Sequence, residues 1–237
     1  MHKFVRALLD FLFPQKCLVC KEEKPEPLCS DCVSRIRYIS PPFCKICGKP
    51  EDKYFVGELC RDCAPARKPF HRARSLGMYE GALKTAIHKL KFKRKRSLGP
   101  IFGKLIIDYL KEIDIDLSEV DLIHSVPLSE RRMKSRGYNQ VDLFSEAVST
   151  YFKIPLEREV LVRKKETKQQ FDLPRELRFK NVRGAFKIKD ANKIKDKTIL
   201  LLDDIYTTGS TVFECSKALR EAGAKKVYVL TLSRALD

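Results

Sequence analysis

Ile199-Leu200-Leu201-Leu202-Asp203-Asp204-Ile205-Tyr206-Thr207-Thr208-Gly209-Ser210-Thr211 is the stretch that decides the fold. A continuous aliphatic run suits a strand buried on both faces at the centre of a parallel sheet. Two carboxylates close that run, a loop of small residues follows, and a helical pattern then spans Ser210–Ala222, with Gly223 as its C′ residue. In sheets of this kind ligands bind beyond the carboxyl ends of the strands. A helix N-terminus offers free N–H groups and the positive end of its dipole to a phosphate. Thr and Ser hydroxyls add donors, Gly209 lets the backbone come close, and Asp203 and Asp204 can accept bonds from sugar hydroxyls. An acidic strand end with a Ser/Thr helix cap is the plainer reading, but the whole string is more specific than either piece.

Working outward, the chain after residue 70 alternates strand and helix signals, the mark of an α/β sheet. Strands are expected at Leu76–Tyr79, Leu122–Val126, Val160–Val162, Gly184–Lys189, Thr198–Leu202 and Val227–Leu232. Helices are expected at Gly81–Phe92, Leu98–Ile113 and Asn139–Tyr151, the last with Val141, Phe144, Ala147 and Val148 on one face. Arg163–Arg183 is polar, carries Pro174 and has no period, so it reads as a long loop, and such loops are usually functional or mobile.

Residues 1–70 read differently. Eight of the nine cysteines fall there, as four C-x2-C pairs: Cys17/Cys20, Cys29/Cys32, Cys44/Cys47 and Cys60/Cys63. Two such knuckles supply the four soft ligands of a tetrahedral zinc site. Sequential pairing, Cys17, Cys20, Cys29 and Cys32 for one ion and Cys44, Cys47, Cys60 and Cys63 for the other, is preferred over interleaved pairing. Four thiolates leave no open position, so the metal is expected to be structural. Cys215 stands apart and reads as a packed thiol. The division expected is a zinc-ribbon module at 1–70, opened by a short amphipathic helix within Met1–Pro14, and an α/β domain at 71–237.

The formal net charge is +17. Such an excess argues for an anionic partner rather than for a fold. Lys89, Lys91, Lys93, Arg94, Lys95 and Arg96 form a basic block, with Lys84 before it and no acidic residue between Lys84 and Arg96. Single-stranded nucleic acid is the partner such a block suggests, with aromatic residues to stack bases. A merely solvated basic face is the alternative. No apolar run approaches the roughly 20 residues needed to span a bilayer, so no stable membrane insertion is expected.

The aliphatic-D-D-x-x-T-T-G-x-T string resembles the binding motif of type I phosphoribosyltransferases for phosphoribosyl pyrophosphate (PRPP). The resemblance implies that Asp203 and Asp204 hold the ribose hydroxyls, that Thr207, Thr208, Gly209, Ser210 and Thr211 wrap the 5′-phosphate, and that Mg2+ arrives with the pyrophosphate. Purine-salvage relatives carry an acid where Thr207 stands, which disfavours 6-oxopurine salvage. Three further segments narrow the resemblance. They are Val126-Pro127-Leu128-Ser129 leading to Arg136-Gly137-Tyr138-Asn139-Gln140, the loop with Thr167, Gln170 and Leu173, and Leu90-Lys91-Phe92. With the double ribbon they resemble the competence protein ComF family (ComFC type, akin to GntX-like proteins).

That likeness implies a type I phosphoribosyltransferase-like parallel sheet flanked by helices, and a role with incoming single-stranded DNA in natural transformation. It implies work in the cytoplasm, at or near the inner face of the membrane, beside a ComFA-type helicase. Whether the site regulates or catalyses stays open. A working transferase would use PRPP and an acceptor that the residues do not identify, with Arg131, Arg136, Arg163 and Lys165 stabilising the departing pyrophosphate.

Overall fold

Five parallel strands carry the fold, in the order β1-β7-β6-β2-β3. The computed structural model describes residues 15–165 and 174–236. The expected amphipathic helix at 1–14, and Thr167, Gln170 and Leu173, lie outside the described residues. In chain order, a short helix α1 (Ser30–Ser34) precedes the first strand, β1 (Arg72–Met78). Helices α2 (Gly81–Phe92) and α3 (Leu98–Leu110) follow, then β2 (Leu122–Ser125). Helices α4 (Glu130–Arg136) and α5 (Gln140–Phe152) lead to the short strands β3 (Leu156–Glu157) and β4 (Leu161–Arg163). The chain continues through α6 (Arg175–Val182), β5 (Phe186–Ile188), β6 (Thr198–Tyr206), α7 (Ser210–Glu221) and β7 (Lys226–Arg234). Strands β4 and β5 form a separate antiparallel pair, Leu161 opposite Ile188 and Arg163 opposite Phe186.

Strand β6 lies between β7 and β2, which explains its unbroken aliphatic run. Its side chains alternate between two cores. Leu200 and Leu202 pack with Leu230, Leu232, Phe102, Ile106 and Phe144 on one face. Ile199 and Leu201 pack with Val227, Val229, Val212 and Leu219 on the other. The two cysteine modules divide in the same way. Cys17, Cys29 and Cys32 join the first core with Leu83 and Ile87 of α2. Cys44, Cys47, Cys60 and Cys63 join the second. Each ribbon therefore borrows hydrophobic support from a different face of the sheet.

The expected parallel sheet is present, and several edges differ from expectation. Strand β1 starts at Arg72 rather than Leu76, because Arg74 is a buried cation rather than a surface one. Its guanidinium donates to both carboxylate oxygens of Asp114 at 2.6 Å and lies over the Phe43 ring. Those partners are 31 and 40 residues distant, so no local pattern announces them. Strand β6 runs on through the acid pair to Tyr206 instead of stopping at Leu202. The stretch read as a loop contains α6, and Glu130–Arg136 is a helix of its own, closed by Gly137 at φ 80°. Among the described residues no helix is long and apolar enough to cross a membrane.

Helices α3 and α5 approach closely because Gly99 and Gly103 face Leu143 and Ala147, where added Cβ atoms would collide. Replacing Gly103 by Leu should therefore cost about 1–3 kcal/mol through overpacking. Urea denaturation checks it; an unchanged midpoint would show that the helices separate freely.

Candidate functional site

The carboxyl ends of β1, β2, β6 and β7 open into one cleft of about 1350 Å³. Tyr79 follows β1, Pro127 and Leu128 follow β2, Asp203 and Asp204 lie on β6, and Arg234 ends β7; all line it. The opposite wall carries Lys84, His88, Lys91 and Phe92 of α2 and Arg131, Arg132 and Arg136 of α4. Arg163 and Arg178 close it from the side of the β4/β5 pair. Parallel strands place their carboxyl ends together, so the position of this cleft follows from the topology.

The floor of the cleft is the acid pair. Both carboxylates are buried. The Asp204 N–H donates to Asp203 Oδ1 at 2.8 Å, and the Ser233 hydroxyl donates to the Asp204 carbonyl at 3.2 Å. Lys91 Nζ lies 2.7 Å from Asp204 Oδ1. The Gln140 amide donates to Asp204 Oδ2, and Arg136 donates to Gln140 Oε1. Asp204 is thus held from both sides by residues of two distant segments.

Those two segments are also tied to each other. Tyr138 donates its hydroxyl to the Leu90 carbonyl. Asn139 caps α5 by accepting from the Val141 N–H at 3.1 Å, and donates to the Val126 carbonyl at 3.0 Å. The motif Arg136-Gly137-Tyr138-Asn139-Gln140 is therefore a strap: each residue caps a helix or anchors a neighbour of the acid pair. Gln140 was not among the residues expected at the site. It is one of five residues in a quoted motif, but only the fold brings it to Asp204.

The loop 207–211 completes the floor. Thr207 and Thr211 line the cleft. The Thr208 hydroxyl donates to Ser210 Oγ at 3.1 Å and accepts from the Ser210 N–H at 3.4 Å. Gly209 sits at φ 77° as the N-cap of α7 and has no side chain of its own to cap that helix. A side chain at Gly209 would strike the Tyr206 ring, which packs beneath the loop. The loop's backbone can then meet an anion with the helix dipole behind it.

The basic residues separate into two groups. Lys93, Arg94, Lys95 and Arg96 are exposed on the turn after α2. Arg94 reaches into the cleft wall and donates to the Ser135 carbonyl at 3.1 Å, while Arg96 lies over the Tyr138 ring. Lys89 is half-buried. Lys91 points inward to Asp204, away from the rest of the basic block. Arg163 lines the cleft and lies 5.4 Å from the Phe186 ring centre. Lys165 is exposed, with Nζ 3.5 Å from the Arg183 carbonyl, and is not part of the cleft lining. Exposed Phe92 lies between His88, 4.8 Å ring to ring, and Arg136, 5.6 Å from its centre.

The cysteines assemble in sequential pairs: Cys17, Cys20, Cys29 and Cys32 form one cluster and Cys44, Cys47, Cys60 and Cys63 the other, each with its sulfurs within 4.8 Å of one another. Sulfur separations of 3.7 Å (Cys17–Cys32), 3.8 Å (Cys20–Cys29) and 3.5 Å (Cys47–Cys60) are close to the edge, about 3.8 Å, of a tetrahedron with Zn–S bonds of about 2.3 Å. The donor sets fit structural Zn2+. Cys215 is buried on α7, where burial pushes its thiol well above its ordinary pKa.

Comparison with known proteins bears on both halves of the chain. The double zinc ribbon domain family matches residues 8–64, and the phosphoribosyl transferase domain family matches residues 143–236. Competence protein F of Haemophilus influenzae is 31% identical over 231 residues, covering 94% of this chain and 98% of that protein. The DNA utilization protein YhgH of Escherichia coli (strain K12) is 31% identical over 211 residues, covering 88% and 91% respectively. Competence protein ComFC of Bacillus subtilis is 28% identical over 250 residues, covering 99% and 96%. Among solved structures, the glutamine PRPP amidotransferase from B. subtilis aligns with a TM-score of 0.42 and 19% identity over 62% of this chain, which spans only 30% of that one.

Burial, and next the neighbouring Asp204 carboxylate, push the Asp203 carboxyl up to about 7, against the pull of Lys91. A carboxyl raised in the fold stabilises it fully below its unfolded pKa, near 4, and that contribution is lost as pH rises through about 7. Asp203→Asn should therefore gain thermal stability relative to the parent between pH 5 and 8, with the difference closing below pH 4. Thermal unfolding across that range measures it; parallel pH profiles would mean that Asp203 titrates normally.

Proposed function

This chain belongs to the competence protein F family, and from that premise we propose that it handles incoming single-stranded DNA and binds PRPP in the cleft at the carboxyl ends of the strands. One observation carries the PRPP reading: two buried carboxylates lie on the floor of a cleft whose walls are cationic. A ligand with a vicinal diol and several phosphates matches both features. The ribose hydroxyls would donate to Asp203 and Asp204. The 5′-phosphate would sit in Thr207, Thr208, Gly209, Ser210 and Thr211, against the N-terminus of α7. The pyrophosphate would lie toward Arg131, Arg132 and Arg136, and Mg2+ would come with it as a counter-charge.

Asp204 is occupied before a ligand arrives. Lys91 and Gln140 hold its two oxygens, so a bound ribose takes over acceptor sites that Lys91 now uses. Lys91 then turns to the incoming phosphates, and α2 carries that change toward the exposed turn at Lys93, Arg94, Lys95 and Arg96. The DNA strand would run along that turn, its phosphates on the four cations and a base on exposed Phe92. Ligand state and strand affinity are thereby connected through one helix. A ComFA-type helicase is the proposed partner, and the cytoplasm the proposed place of work.

A second reading, transfer of the phosphoribosyl group to an acceptor, is favoured by Arg163, which lines the same cleft and whose charge acts on Asp203. There a nucleophile would attack the anomeric carbon and pyrophosphate would leave with both bonding electrons, met by Arg136 and Arg163. Lys165, outside the cleft lining, has no part in that step without a movement of the β4/β5 pair.

Fluorescence anisotropy of a labelled single-stranded oligonucleotide across a salt series, with and without Mg2+ and PRPP, tests the main reading. Binding should weaken steeply with salt. Replacing Lys93, Arg94, Lys95 and Arg96 by Gln should reduce the slope by up to about 3, at roughly 0.7 per phosphate contact on a single strand. PRPP should shift the affinity of the parent, and Lys91→Met should abolish that shift. Absence of binding at low salt would reduce the charge to a solvated surface and leave the transferase reading, whose sign is pyrophosphate release with an acceptor panel.

A further inference from the structure

The second cysteine cluster and the loop 207–211 are joined by one side chain. Arg234, the last residue of β7, is buried. Its Nη1 donates to the Cys47 carbonyl at 2.7 Å and its Nη2 to Cys47 Sγ at 3.3 Å. The face of the same guanidinium lies 4.1 Å from the centre of the Tyr206 ring. Tyr206 in turn fills the space beneath Gly209, the residue whose positive φ shapes the loop and starts α7. The backbone adds a tie here, since the Ala235 N–H donates to the Tyr206 carbonyl at 2.9 Å.

The knuckle holding Cys47 is fixed just as firmly on its other side. The Ala73 N–H of β1 donates to the Ile46 carbonyl at 2.7 Å, and Arg74 donates to the Lys45 carbonyl at 3.1 Å. Gly48, at φ 68°, presses against β1 so closely that a Cβ would lie 2.6 Å from the Ala73 carbonyl. The first cluster is built otherwise: its Cys17 sulfur receives N–H bonds from Val19 and Cys29 of its own ribbon.

We infer that the two zinc sites do unequal work, and that the second one, acting through Arg234 and Tyr206, holds the phosphate-binding loop in its binding-competent shape. A zinc ion with four thiolates carries a net charge of −2, and a guanidinium donating to one sulfur offsets part of it and orients that ligand. Without the ion the knuckle loses its shape, Arg234 loses both acceptors, and Tyr206 loses the cation that fixes its ring. The floor under Gly209 then gives way. Metal occupancy and anion binding are linked, and linkage is reciprocal: a ligand in the loop must retain the second zinc more tightly. The ligand half of this inference rests on the anion-binding reading above; the Arg234 bridge does not.

Hydrogen exchange read by mass spectrometry, on the zinc-loaded full chain, tests the bridge without any ligand. In Arg234→Met, peptides covering 205–212 should exchange at least tenfold faster than in the parent, while a colorimetric assay still counts two zinc ions per chain. Tyr206→Leu, at a residue outside the cleft lining, should do the same, and the milder Arg234→Lys should fall between. Parent-like exchange in all three variants with both ions retained overturns the inference. The reciprocal arm uses ribose 5-phosphate as probe: it should slow transfer of one of the two ions to a chelator, and Tyr206→Leu should remove that protection. Calorimetry of the same probe separates the two failures. Exchange that responds in a protein that does not bind ribose 5-phosphate condemns the functional reading and leaves the bridge. Tight binding with unaltered zinc release in the parent condemns the linkage.

Discussion

Two adjacent carboxylates buried at the end of a central strand set the terms for everything around them. A buried charge is tolerated only when paired and hydrogen-bonded. Asp204 satisfies that condition with Lys91 on one oxygen and Gln140 on the other. Asp203 accepts the Asp204 N–H, and burial pushes its carboxyl up to about 7. Lys91 must therefore sit at the end of α2, and Gln140 at the start of α5. The hydrogen bonds of Tyr138 to Leu90 and of Asn139 to Val126 hold those two helices in register with the strand ends. The same arrangement that stabilises the acid pair surrounds it with cations, and the proposed ribose and phosphate site rests on that combination.

The ribbons fit into this scheme as clamps on the two faces of one sheet. Neither has core enough to fold unaided, and each buries cysteines against sheet or helix residues. The first closes over α2, the helix that presents Lys91 and then the exposed basic turn. The second closes over the ends of β1 and β7 and meets the loop through Arg234. Ribbon and sheet are thus one hydrogen-bonded unit at the cleft, and Arg37, from the segment between the ribbons, lines the same cleft and donates to Glu80.

Much of this was legible in the amino-acid sequence, for identifiable reasons. The aliphatic run ending at Leu202 announces a central parallel strand, because only burial on both faces tolerates it. C-x2-C spacing announces zinc, because two thiolates at that spacing turn to one point. Helix α2 matches its expected limits, Gly81–Phe92, because its apolar residues recur with helical period. What failed to show was long-range pairing of polar groups. Arg74 looks like surface until Asp114 is placed beside it. Lys91 looks like one more cation in a basic block until Asp204 is. Arg234 carries no local sign that it will meet Cys47, 187 residues earlier. Short helices such as Glu130–Arg136 were hidden by their lack of buried residues, which leaves no hydrophobic period to read.

The claim on which the account turns is that the Asp203–Asp204 pair is there to receive a ribose diol. Titration calorimetry of the zinc-loaded chain with ribose 5-phosphate and with 2-deoxyribose 5-phosphate tests it directly, since the two differ by a single hydroxyl. A hydrogen bond to a charged group is worth about 1.5–3 kcal/mol, so the account predicts that the deoxy sugar binds roughly tenfold or more weakly. Equal affinities would mean that the 2-hydroxyl meets neither carboxylate, and would contradict the diol reading.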